Sequence, residues 1–122
     1  MTKYYYFCIL TTLAHLFAII PMYHDIIYIM IIILSTLLST IWHIMNEVKN
    51  VIYYLDYIMV IILVTYELYI SYNKYITITL NFIIFIINQY SNKCSNYKTI
   101  HGIWHIMSAI KCYYIAYYVY KK

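Results

Sequence analysis

The sequence predicts an all-α protein, a polytopic membrane helix bundle of about five transmembrane helices. Three observations carry this. First, 66% of the 122 residues are hydrophobic and only 10% are charged, whereas an average soluble domain is about half apolar and about a quarter charged. Second, a chain this short has too much surface for its volume to hide that much apolar side chain from water. Third, apolar runs of the length that crosses a bilayer, roughly 17–25 residues, recur five times along the chain. Together these argue against a soluble enzyme and against a disordered tail, which needs few apolar residues and high net charge. One glycine, Gly102, and one proline, Pro21, exclude a Gly-rich phosphate loop.

The first segment, about residues 4–20, follows Lys3 and is broken by Pro21 and the polar His24–Asp25. No small-residue cleavage site follows it, so it is expected to stay as an uncleaved helix. The second, 26–45, ends at Asn46, Glu47, Lys49 and Asn50. The third, 51–70, ends at Ser71, Asn73 and Lys74. The fourth, 75–90, is short and carries Thr77, Thr79, Asn81 and Asn88. The fifth, 98–120, closes with Lys121 and Lys122. With no repeat and no second domain, residues 1–122 read as a single transmembrane domain. The runs are long and lack period-2 alternation, which argues against a membrane barrel.

All the positive charge is lysine, and no basic block is present, so no nucleic-acid partner is expected. Five spans place the termini on opposite sides. Lys3, Lys49, Lys93 and Lys98 then share the N-terminal side, against Lys74, Lys121 and Lys122. The positive-inside rule points, by this narrow margin, to a cytoplasmic N-terminus. Cys8, Cys94 and Cys112 have no CxxC spacing and are expected to be thiols without a disulfide or zinc role.

Ionisable groups inside hydrocarbon are costly and usually mark function. At 1.5 Å per residue, His43 lies roughly 3–5 Å from the end of its helix, Asp56 roughly 8 Å, and His101 and His105 roughly 5 and 10 Å. All four fall in one layer near the N-terminal side. Ser35, Ser39 and His43 share one helix face at spacings of four, as do His101 and His105. Three histidines from two helices supply neutral nitrogen ligands, and zinc with three protein ligands keeps a fourth position for water that it activates as a nucleophile. Asp56 is placed to orient that water and take its proton. His15 is expected in the opposite half, as a hydrogen-bonded bundle residue. Glu67 is expected to be an end cap or a solvated group. Lys111 either snorkels or pairs with a carboxylate. Trp42 and Trp104 are expected in an interfacial aromatic belt.

The ordered set Ser39-Thr-Ile-Trp-His43, Leu55-Asp56-Tyr57 and His101-Gly-Ile-Trp-His105 resembles the CREST superfamily. That group holds the alkaline ceramidases, the adiponectin and progestin receptors, and the membrane phospholipases that trim GPI-anchored proteins. The stretch from His101 to Ala109 is most similar to the last of these. The resemblance runs from Ser39 to Ser108. It implies an integral-membrane hydrolase of lipid amide or ester bonds, with His43, His101 and His105 as Zn²⁺ ligands, Asp56 holding the water and Ser39 beside the metal. The family has seven helices and this chain offers five. Helices that wall the lipid cavity are missing, and a homo-oligomer is one way to complete it.

The expected function is therefore that of a zinc-dependent hydrolase whose partners are the bilayer and a membrane lipid substrate. The alternative is a non-enzymatic multi-pass scaffold, viral membrane factor or receptor-like remnant with a structural metal site or none. Haem is disfavoured, because two ligands one turn apart on a helix cannot reach opposite faces of one porphyrin.

Overall fold

A computed structural model of the chain describes residues 6–120. Lys3, Lys121, Lys122 and the expected start of the first helix at residue 4 lie outside the described residues. The described chain is all-helical: α1 (Tyr6–Leu13), a 3-10 segment (Ala14–Ile19), α2 (Ile26–Ile44), α3 (Val51–Ile70), α4 (Lys74–Ser91), α5 (Tyr97–Tyr114) and a π turn (Ile115–Val119). It contains no strand among the described residues beyond one isolated bridge between Ser71 and Tyr120.

The polar residues that interrupt the apolar runs are helix caps. The Asp25 carboxylate accepts from the Tyr28 amide at 3.0 Å and starts α2. The Asn50 side chain accepts from the Ile52 amide at 3.0 Å and starts α3. Asn73 accepts from the Ile76 amide at 3.2 Å and starts α4. Each satisfies an orphan donor of the first turn. Helix α2 ends in two left-handed residues, Asn46 (φ 57°) and Glu47 (φ 58°). Asparagine tolerates this region, whereas glutamate there carries a steric cost of about 1–2 kcal/mol.

The first segment departs from the expected single helix over 4–20. After Leu13 it tightens to 3-10 geometry. Local side chains compete for its carbonyls: Thr11 Oγ1 donates to Phe7 O at 2.8 Å, and His15 Nδ1 sits 2.9 Å from Thr12 O. Such side-chain bonding to the preceding turn loosens the α-helical ladder. The fifth segment likewise leaves α-helical geometry at Ile115, five residues before its expected end.

Helix α2 packs against α3, and α5 packs against α1, the 3-10 segment and α4. The α3–α4 interface is slight by comparison. Gly102 marks the crossing of α1 and α5. A Cβ at this position would run into the Phe7 ring, so the chain's one glycine permits the approach of the two helices beside His101.

Among the described residues, buried polar side chains, Thr12, Thr36, Ser39 and Ser108 among them, are as numerous as buried apolar ones. Outward-facing residues include Leu10, Phe17, Ile61, Phe82 and Ile110. Two helices, α2 and α3, are long and apolar enough to cross a membrane.

Glu67 is neither an end cap nor solvated, contrary to expectation. It is fully buried, and its Oε1 accepts from Lys111 Nζ at 2.6 Å. The pairing of Lys111 with a carboxylate is one of its two expected fates. Depth along α3 misleads here, because the lysine of α5 reaches the same level and draws the carboxylate inward. Removing one partner strands a buried charge. Glu67→Gln or Lys111→Met alone is therefore expected to cost about 3–5 kcal/mol, and the double substitution Glu67→Leu/Lys111→Met to recover most of it. Thermal unfolding in detergent reads this directly. A single variant melting with the wild type would contradict it.

Candidate metal centre

Three histidines converge where the end of α2 meets the start of α5. Helix periodicity brings His101 and His105 to one face of α5, with ring centroids 4.6 Å apart. His43, in the last turn of α2, places its ring 5.3 Å from His101 and 5.1 Å from His105. All three are buried, and one nitrogen from each lies within 4.8 Å of the others. His43 Nε2 and His105 Nε2 are 3.0 Å apart. Ligands at about 2.0–2.1 Å in a tetrahedral zinc site stand roughly 3.3 Å from one another, so this spacing fits a shared ion.

A buried polar atom left without a partner points the same way: His101 Nδ1 makes no hydrogen bond, an arrangement that is costly unless something else satisfies the nitrogen. The donor set is three imidazoles, which suits zinc, copper, iron or nickel over magnesium or calcium. The cluster can hold a metal ion.

Two residues that sequence reasoning passed over complete the surroundings. Glu47 Oε1 lies 3.5 Å from His43 Nδ1, within ion-pair range but outside hydrogen-bond geometry. Tyr97 donates its hydroxyl proton to the same oxygen at 2.6 Å and stacks its ring on His101 at 4.9 Å. Burial raises the Glu47 carboxyl, but His43 and the Tyr97 hydroxyl more than offset it, and the net shift is downward. A carboxylate behind a ligating imidazole orients the ring and raises its basicity. The signal was present in the spacing: Glu47 follows His43 by four residues, as His105 follows His101. It was read only as the polar end of a segment.

Both tryptophans, expected in an interfacial aromatic belt, also pack against the histidines. Trp42 lies 5.1 Å from the His43 ring and donates from Nε1 to Val48 O at 3.1 Å. Trp104 lies 4.8 Å from His105 and donates to Ile84 O at 2.9 Å.

His15 is hydrogen-bonded in the bundle, as expected, but it is not in the opposite half. Its Nε2 is 3.0 Å from Ser108 Oγ, and its ring is 6.0 Å from His105. His15 enters from near the middle of its segment and His105 from the second turn of α5. At 1.5 Å per residue these depths differ by only about one turn, and the close α1–α5 crossing brings the two rings together.

Beside the histidines lies a cavity of about 710 Å³, lined by Ser39 from α2, Asp56 from α3, and His101 and His105 from α5. Leu63, Val64 and Phe85 also line it. Asp56 thus faces the same space as the histidines, but it makes no hydrogen bond or ion pair with them among the described residues. Ser39 is buried one turn from His43. All three cysteines are free.

Substituting Glu47→Gln is expected to weaken metal binding by about 10–100-fold while leaving one ion per chain at saturation. Competition against a chelator measures this, and an unchanged affinity would remove Glu47 from the site. Comparison of the chain with protein-family models, curated proteins and solved structures returns no match.

Proposed function

We propose that the chain is a polytopic membrane hydrolase, zinc-dependent, that cleaves an acyl amide or ester bond of a lipid. The observation that carries this reading is the convergence of three buried histidines from two helices, two of which, His101 and His105, line a cavity that also presents the Asp56 carboxylate. The many large apolar side chains on the exterior and the length and apolarity of α2 and α3 support a bilayer setting, in which α1, α4 and α5 would join α2 and α3 across the membrane. The ordered resemblance to the CREST superfamily supports the same residues in the same roles.

His43, His101 and His105 would hold Zn²⁺. The ion supplies Lewis acidity, which acidifies water and polarises a carbonyl oxygen. The apolar wall of Leu63, Val64 and Phe85 receives the acyl chain. Ser39 donates its hydroxyl proton to the substrate carbonyl oxygen. Asp56 takes a proton from water as its oxygen bonds to the acyl carbon. It returns that proton to the leaving nitrogen or oxygen as the amide or ester bond breaks. Fatty acid and an amine or alcohol are the products.

One observation favours a second reading, a structural metal site in a non-enzymatic membrane protein. Asp56 touches none of the three histidines, and a structural site has no water to activate.

The two readings separate on purified protein. Wild type is expected to carry one zinc per chain and to release fatty acid from N-acyl or ester lipids. His101→Ala/His105→Ala should lose both. Asp56→Ala should keep the zinc and lose at least about 10²-fold in rate. Metal content by mass spectrometry with a fatty-acid assay reads both properties. Zinc without release from any ceramide, glyceride or phospholipid would leave the structural reading standing.

A further inference from the structure

The metal cluster and the proposed hydrolysis leave a serine–histidine pair in the same cavity unused. His15, from the 3-10 segment, and Ser108, from α5, both line that cavity. His15 Nε2 and Ser108 Oγ are 3.0 Å apart, and His15 Nδ1 is 2.9 Å from Thr12 O.

The two contacts together fix where the protons lie. A backbone carbonyl only accepts, so Nδ1 carries the ring proton and donates it to Thr12 O. In the neutral imidazole Nε2 is then the bare nitrogen, and the Ser108 hydroxyl is the donor in the second bond. A hydroxyl that donates to an imidazole, held in turn by a third group on its other nitrogen, is the arrangement that activates a serine nucleophile. The third group here is a carbonyl rather than a carboxylate. It sets the tautomer and the ring orientation, and it adds no charge.

The pair is distinct from the metal ligands. Both His15 nitrogens are engaged, which leaves the ring no lone pair for an ion. Among the described residues it makes no hydrogen bond to His105, whose ring centroid is 6.0 Å away. Ser108 follows His105 by three residues and so shares its face of α5. The cavity of about 710 Å³ onto which the serine opens is also lined by Val60, Leu63, Val64 and Phe85, apolar side chains against which an acyl chain can lie.

We propose that Ser108 and His15 form a second reactive centre in this cavity, in which the serine takes an acyl group from a lipid carboxylic ester. Ser108 Oγ bonds to the acyl carbon as its proton passes to His15 Nε2. The bond from the acyl carbon to the alcohol oxygen then breaks, and the alcohol leaves with the proton held by His15. The acyl group is now esterified to Ser108. Water or another alcohol reverses these steps and releases a fatty acid or a new ester. This centre goes beyond the metal-centred reading, which has no covalent intermediate, and does not depend on it.

The test uses the full chain in detergent and two probes. A long-chain alkyl fluorophosphonate bonds covalently to a nucleophilic serine with loss of fluoride. A long-chain nitrophenyl ester delivers an acyl group, and acid quenching preserves the ester it forms on the protein. Peptide mapping by mass spectrometry locates both adducts.

The expected result is one phosphonyl or one acyl group per chain, on Ser108. Ser108→Ala should carry neither, and His15→Gln should slow both reactions by about 10²-fold or more. Wild type that stays unmodified at Ser108 with both probes would overturn the proposal without recourse to a variant. So would modification of Ser108 at the wild-type rate in folded His15→Gln. Acylated Ser108 on a protein that binds no zinc upholds the serine centre and sinks the metal-centred reading. Zinc-dependent release of fatty acid with Ser108 never acylated does the reverse.

Discussion

The buried ion pair between Glu67 and Lys111 is the contact on which the rest of the arrangement turns. Helix α3 packs on α2 and only slightly on α4. Its link to α5 is this pair, at 2.6 Å between two side chains with almost no exposure. In low dielectric a lone charge is prohibitive, so each partner holds the other in place. The pair fixes the far end of α3 against the helix that carries His101 and His105. The near end, with Asp56, is left standing off from the histidines.

Much of the fold is legible in the sequence because bilayer length and helix capping are strong, local constraints. Asp25, Asn50 and Asn73 interrupt apolar runs, and each caps the helix that follows. The histidine cluster is legible for a different reason. Spacing by four fixes a shared face, and rise per residue fixes a shared depth, so two one-dimensional measures bring His43, His101 and His105 to one place. What fails is whatever depends on how helices cross. His15 is misplaced because the closeness of α1 and α5 follows from Gly102 meeting Phe7, a contact with no periodic signature. Glu67 is misplaced because its burial is a property of Lys111, forty-four residues away. Glu47 is missed because a left-handed turn after α2, with φ of 58°, carries its carboxylate back to the histidine four residues before it. No propensity argument expects a glutamate there.

That strained turn has a physical rationale. A residue held in a sparsely populated backbone region persists only when its surroundings over-determine it. Glu47 is held by the Tyr97 hydroxyl at 2.6 Å and by the nearby His43 ring. Tyr97 in turn stacks on His101. The ligands from α2 and α5 are thus cross-braced outside the cluster, by a carboxylate from one helix end and a phenol from the other.

The histidine cluster and the cavity carboxylate sit on different helices. The three histidines that could hold a metal come from α2 and α5, which are joined by that brace. Asp56 comes from α3, which meets α4 only slightly. A change that loosens α3 or α4 alters the cavity without touching the ligand set. A change in α2 or α5 removes the ligands themselves.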